Sequence, residues 1–111
     1  MSEPHRIRLR EPWVREPPAN GGTRYHRAFN APTGLTPGTT VTIVCDGPLT
    51  PSAVVLNGMA LRSNSSGENL WSSEITSLLV ARNELTLDFA ATASPADALP
   101  WREVRLEIYA P

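Results

Sequence analysis

Apolar and polar side chains alternate in several separate stretches of this chain, and residues 73–90 show the pattern most fully. Ile75, Leu78 and Leu79 have the i, i+3, i+4 spacing of a single helical turn, too short to stand alone and suited to plugging a core. Leu85, Leu87 and Phe89 then share one side of a strand, with Glu84, Thr86 and Asp88 on the other. This is the period of two expected for a sheet with one wet face. Residues 5–10 alternate in the same way, Ile7 and Leu9 against Arg6, Arg8 and Arg10. Residues 103–109 do so near the other end, with Val104, Leu106 and Ile108 inward and Glu103, Arg105 and Glu107 outward. If these two strands pair, the arginines meet Glu103 and Glu107 across the ladder.

A further strand over residues 23–30 places Tyr25, Arg27 and Phe29 on one face and Arg24, His26 and Ala28 on the other. Arg27 must reach an edge or find a carboxylate, because an unpaired guanidinium in a core is too costly. Residues 40–46 and 52–57 are largely apolar, as strands in the middle of a sheet are. Asn57-Gly58 is a hairpin signal, since both residues tolerate positive φ, and Met59-Ala60-Leu61 begins the return. Leu70-Trp71 predicts a brief strand. Turns fall at Glu11-Pro12-Trp13, over residues 17–22 and 31–38, and at Gly47-Pro48. Residues 64–69 are the most polar stretch and residues 90–100 are weakly patterned, so both read as loops. About seven strands and one helical turn make an all-β chain, an antiparallel β-sandwich of the jelly-roll type.

At 111 residues the chain fits one domain, 1–111, able to fold around a single core. Eleven prolines and seven glycines leave little room for long helices, which strengthens the all-β reading. The formal net charge is −1 and all ten basic residues are arginines, so there is no overall positive field to hold a nucleic-acid backbone. Cys45 is the single cysteine and lies in an apolar run, where it acts as a small buried hydrophobe. No charged-then-apolar leader opens the chain and no apolar run approaches ~18 residues, so neither a signal peptide nor a membrane span is expected, and a cytoplasmic location follows by default.

The chemistry-bearing residues are few. Trp13 and Trp101 stand at loop junctions beside Pro12 and Pro100 and are candidates for stacking on a pyranose ring, with edge packing as the alternative. Trp71 reads as core. Asn64, Glu68 and Asn69 lie in the polar loop, where they either pair with sugar hydroxyls or are simply solvated. Asn57 is explained by its turn. His5, His26 and Cys45 lack the spacing of a zinc site. The chain contains no Gly-x-Ser-x-Gly elbow, no His-Glu-x-x-His and no phosphate-cradling glycine loop, so no catalytic residue and no cofactor is indicated. A glycosidase needs two carboxylates ~5–10 Å apart, and the pattern selects neither Glu11 with Glu16 nor Glu68 with Glu74 for that role.

Three local words give the chain a family likeness. Arg24-Tyr25-His26-Arg27-Ala28-Phe29-Asn30, Ala53-Val54-Val55-Leu56-Asn57-Gly58, and Glu74-Ile75-Thr76-Ser77-Leu78-Leu79 followed by Asn83-Glu84-Leu85 stand in that order across most of residues 24–90. Together they resemble the galactose-binding-like β-sandwich found as the N-terminal sugar-binding domain of family 2 glycoside hydrolases. Glu74 stands where that family usually has aspartate. In those hydrolases the two catalytic carboxylates belong to a later barrel, so the resemblance implies a binding domain and not hydrolysis by these residues. Relatives of this fold often hold a structural calcium ion through carbonyl and carboxylate oxygens, and the resemblance leaves that open here. Two readings follow: a stand-alone, non-catalytic module that binds carbohydrate, or an accessory domain that contacts a protein partner through the same sandwich. An isolated hydrolase ranks last.

Overall fold

A strand with one apolar face needs a second layer to hide that face against. The computed structural model of the chain describes residues 4–16, 22–63, 70–90 and 100–111. Among them run β1 (His5–Arg8), β2 (Val14–Glu16), β3 (Thr23–Asn30), β4 (Thr40–Asp46), β5 (Ala53–Leu56), β6 (Met59–Ala60), β7 (Leu70–Glu74), a 3-10 turn (Thr76–Leu78), β8 (Arg82–Phe89) and β9 (Glu103–Tyr109). All neighbouring strands are antiparallel, forming one sheet in the order β1-β9-β4-β7 and a second in the order β2-β3-β8-β5-β6. The chain is therefore an antiparallel β-sandwich, as the alternation predicts. β2 is the addition that alternation did not predict, because its three residues are all exposed and carry no inward face. No helix among the described residues is long and apolar enough to cross a membrane.

The inward positions of both sheets meet as expected. Val41, Ile43, Val104 and Leu106 of the first sheet face Leu56, Leu85 and Leu87 of the second, and all are essentially removed from solvent. Ile75 is fully buried as the plug, with Leu78 and Leu79 packed beside it. Its backbone N–H donates to the Val41 carbonyl at 2.8 Å, and the Thr76 hydroxyl accepts from the Val41 N–H at 2.8 Å. Cys45 is 1% exposed, and burial, aided by neighbouring Asp46, pushes its thiol up to about 12, so it stays protonated and inert.

Asn57 and Gly58 both take positive φ, 53° and 83°, the left-handed pair that a tight hairpin requires. The Asn57 side chain has a second task. Its Oδ1 accepts from the Glu84 N–H at 2.9 Å, and its Nδ2 donates to the Leu78 carbonyl at 3.2 Å and to Asn83 Oδ1 at 3.0 Å. Asn83 is fully buried, accepts from the Val80 N–H at 3.0 Å, and donates to the Val80 and Phe29 carbonyls at 2.9 and 3.3 Å. Two amides thereby fasten the hairpin, the 3-10 turn and the start of β8 to one another. Substitution Asn83→Leu keeps the volume and strands these buried partners, which costs about 3 kcal/mol. Urea unfolding measures this as a lower midpoint at unchanged slope, and a midpoint equal to that of the parent would show the amide pair to be dispensable.

The pairing of first and last strands brings Arg6 opposite Glu107 and Arg8 opposite Arg105. Arg6 reaches Glu107 at 3.4 Å, and Arg8 reaches Glu103 diagonally at 2.6 Å. The expected cross-strand ion pairs are present. Glu107 departs from its expected outward, wet position: it is only 8% exposed, covered by Arg105 at 2.8 Å and by the Tyr109 hydroxyl, which donates to it at 2.6 Å. Burial on its own raises its pKa. The hydrogen bonds from Tyr109 and Arg105, with the attraction of Arg105 and the bond from Arg6, outweigh burial and hold the carboxyl below the usual glutamate range. A carboxylate depressed in the folded state stabilises the fold above its unfolded pKa of ~4.3, and that stability is lost as pH falls through the folded value. Glu107→Gln is therefore less stable than the parent at neutral pH, and its melting temperature falls less steeply between pH 5 and 3; parallel pH profiles would remove Glu107 from the acid response.

Candidate functional site

The two ends of the described chain converge on one seam between the sheets. Past β1, the Leu9 N–H still donates to the Val104 carbonyl at 2.8 Å, after which a cis Glu11-Pro12 peptide leads the chain across to β2 in the other sheet. Trp13 lies on that crossing. It is held by its backbone N–H to Glu11 Oε2 at 2.8 Å and by its indole N–H to the Leu9 carbonyl at 3.2 Å. Trp101 arrives from the other side, just before β9, where the Arg102 N–H donates to the Asp46 carbonyl at 2.7 Å. Gly47 permits this approach, since a Cβ there would fall 2.6 Å from the Trp101 Cα.

Trp101 is 6% exposed and sits at the centre of an aromatic cluster. Its ring centroid is 4.8 Å from Trp13, 4.8 Å from Tyr25 and 5.7 Å from Phe89, in tilted or edge-on arrangements that suit the ring quadrupoles. Trp13 is half-buried, and the Arg27 guanidinium carbon lies 5.7 Å from the centre of its ring. Arg27 resolves its inward placement without a carboxylate: it donates to the Arg10 and Ala28 carbonyls and covers the indole.

Over this pair opens a cleft of about 270 Å³, lined by Arg8, Leu9, Arg10, Glu11, Trp13, Trp101, Arg102, Glu103 and Val104. Its charges are not equivalent. Arg8 is spent on Glu103, and Glu103 also takes Arg105 at 3.0 Å. Glu11 accepts the Trp13 N–H. Arg102, with 70% of its side chain exposed, only approaches Asp46 at 3.7 Å. The Arg10 side chain has no ion pair among the described residues. A second depression is lined, among the described residues, by Arg15, Glu16, Gly22 and Thr23, none of them aromatic.

Of the residues singled out in the sequence, the fold brings Trp13 and Trp101 together. Asn64, Glu68 and Asn69 lie outside the described residues. Trp71 is buried in the core opposite Cys45. His26 stands 3.9 Å from Glu16 on the outer face of the second sheet, and among the described residues no three of His, Cys, Asp and Glu gather as a metal-holding group. The flanking arginines were missed, because Arg8 and Arg10 read as the wet face of a strand. A usable signal was present: each of the two cleft tryptophans has an Arg-Glu pair beside it, in Arg10-Glu11-Pro12-Trp13 and in Trp101-Arg102-Glu103.

Solved structures that superimpose on this chain include two β-glucuronidases and a putative β-galactosidase. An FMN-binding β-glucuronidase from Faecalibacterium prausnitzii L2-6 superimposes with a TM-score of 0.73 over 97% of this chain, at 20% identity. A putative β-galactosidase from Bacteroides fragilis gives 0.57 over 80% at 24% identity, and a Bifidobacterium dentium β-glucuronidase, solved with coumarin-3-O-glucuronide, gives 0.53 over 63% at 31% identity. The chain spans only 23%, 15% and 11% of those three proteins, respectively. No protein-family model and no curated protein matches the sequence. The likeness is one of fold, to a small part of such enzymes.

The two indoles differ in what they hold up. Removing Trp101 with Trp101→Ala empties the centre of the aromatic cluster and costs ~3–5 kcal/mol, whereas half-exposed Trp13 costs less. Thermal melts of the two alanine variants should separate in that order, and equal melting temperatures would place the weight of the packing elsewhere.

Proposed function

We propose that this chain is a non-catalytic β-sandwich domain that binds carbohydrate in the Trp13 cleft. The observation that supports this most is the half-buried indole of Trp13 lining a cleft whose rim is made of guanidinium and carboxylate groups. Sugars present apolar ring faces and a perimeter of hydroxyls, and a rigid aromatic surface beside charged hydrogen-bonding groups meets both demands. The fold likeness adds support, because the neighbouring structures are enzymes that act on glycosides and this chain matches a small part of each. Non-catalytic binding fits the state of the two cleft carboxylates, which serve the fold's own donors: Glu11 holds the Trp13 backbone and Glu103 holds Arg8 and Arg105.

A glycan array followed by calorimetry tests the reading. Saccharide binding should appear in the parent chain and weaken at least about tenfold in Trp13→Ala, a loss of the size of one good aromatic contact. Circular dichroism of the variant confirms that the sandwich is retained. Failure to bind across a broad array, or binding indifferent to Trp13, would sink the proposal.

A further inference from the structure

We infer, resting on the carbohydrate reading above, that the ligand of the cleft is a single saccharide ring carrying an anionic group, a carboxylate or a sulfate, gripped by Arg10 and Arg102. Three arginines and two glutamates line the cleft. The pairing within it leaves the positive charge in one place. Glu103 is shared between Arg8 at 2.6 Å and Arg105 at 3.0 Å, and among the described residues neither it nor Glu11 forms an ion pair with Arg10. The Arg10 guanidinium has no ion-pair partner among the described residues, and its backbone carbonyl accepts from Arg27, which fixes the main chain from which the side chain extends. Arg102 is largely exposed and 3.7 Å from Asp46, a separation too long for a hydrogen bond that holds the side chain in place.

Two arginines therefore line the same cleft as the indole, Arg10 two residues past β1 and without an ion pair among the described residues, and Arg102 just before β9 with only its 3.7 Å approach to Asp46. A guanidinium presents a planar fork of donors that matches the two oxygens of a carboxylate or sulfate, and it accepts nothing. Neutral sugar hydroxyls gain less from such a pair than an oxyanion does. The volume, about 270 Å³, is near the lower bound of ligand pockets, ~300 Å³, and accommodates one ring within the cleft. Indole contact with the ring and a fork on its charged substituent together define an acidic monosaccharide unit.

Calorimetry on the full chain with glucuronic acid, glucose 6-sulfate, glucose and inorganic sulfate distinguishes the outcomes. The inference expects one or both acidic sugars to bind at least about tenfold more tightly than glucose, with affinity falling as salt is raised. Preference between the carboxylate and the sulfate identifies the natural oxyanion. The double variant Arg10→Ala, Arg102→Ala should lose this preference while retaining the parent melting temperature, since both side chains are exposed and the Arg10 carbonyl remains. Equal binding of glucose and the acidic sugars, unaffected by the double variant, overturns the anionic preference and leaves carbohydrate binding standing. Inorganic sulfate binding as tightly as the acidic sugars, with Trp13→Ala having no effect, overturns both, because the cleft is then a bare anion site.

Discussion

Trp101 leads into a strand of one sheet, yet its indole packs against the rings of the other. Tyr25 on β3 and Phe89 on β8 hold it from the second sheet, while the turn of chain that follows it enters β9 in the first. A sandwich has no covalent tie between its layers beyond the connecting chain, and this chain has no disulfide to supply one. The aromatic cluster supplies a buried, directional contact at the end where the β1 to β2 crossing also passes. Gly47 belongs to the same constraint, since any side chain there would displace the Trp101 backbone and with it the floor of the cleft. The site is thus a by-product of closure: where the two layers are pinned, the second indole is left half-covered.

Charge is arranged on the opposite principle, outside and across strands. On the outer face of the first sheet Arg6, Arg8, Glu103, Arg105 and Glu107 form a continuous set of ion pairs over β1 and β9. Individually such surface pairs contribute little, but a set that shares partners restricts its own side chains and shields its centre. Glu107 is that centre, and its burial follows from being bracketed by two arginines and a tyrosine. A similar pair, Arg24 on Asp88 through two hydrogen bonds of 2.6 and 3.0 Å, ties β3 to β8 on the other sheet. Register is fixed from both sides, by the apolar inner face and by matched charges outside.

Much of this was legible before the structure. Alternation in residues 23–30, 84–89 and 103–109 reflects sheets with one wet face, and period two is a local property that a sequence displays directly. The plug at Ile75, Leu78 and Leu79 was legible for the same reason. β2 was not, because an edge strand with three exposed residues has no face to betray it and forms only by pairing with β3. Asn57 was read as a turn residue, and its positive φ agrees, but its grip on Asn83 depends on two segments meeting in space. The cleft was half-legible. Its tryptophans were candidates singly, while their contact at 4.8 Å and the arginines around them exist only once first and last strands pair.

The arginines carry the argument furthest. A chain with ten arginines and no lysine uses a planar, always charged group wherever it needs a cation, and the structure separates nine of them into groups. Arg6, Arg8, Arg24 and Arg105 are matched to carboxylates, and Arg27 is matched to two carbonyls and an indole. Arg62 and Arg82 are exposed and do not line the cleft. Arg10 and Arg102 differ from both groups, since they line a concave surface and lack a firm partner. Matched arginines explain the fold, and exposed ones explain hydration. Arg10, in a cleft with an indole and without an ion pair among the described residues, is the group on which the proposed anionic ligand rests.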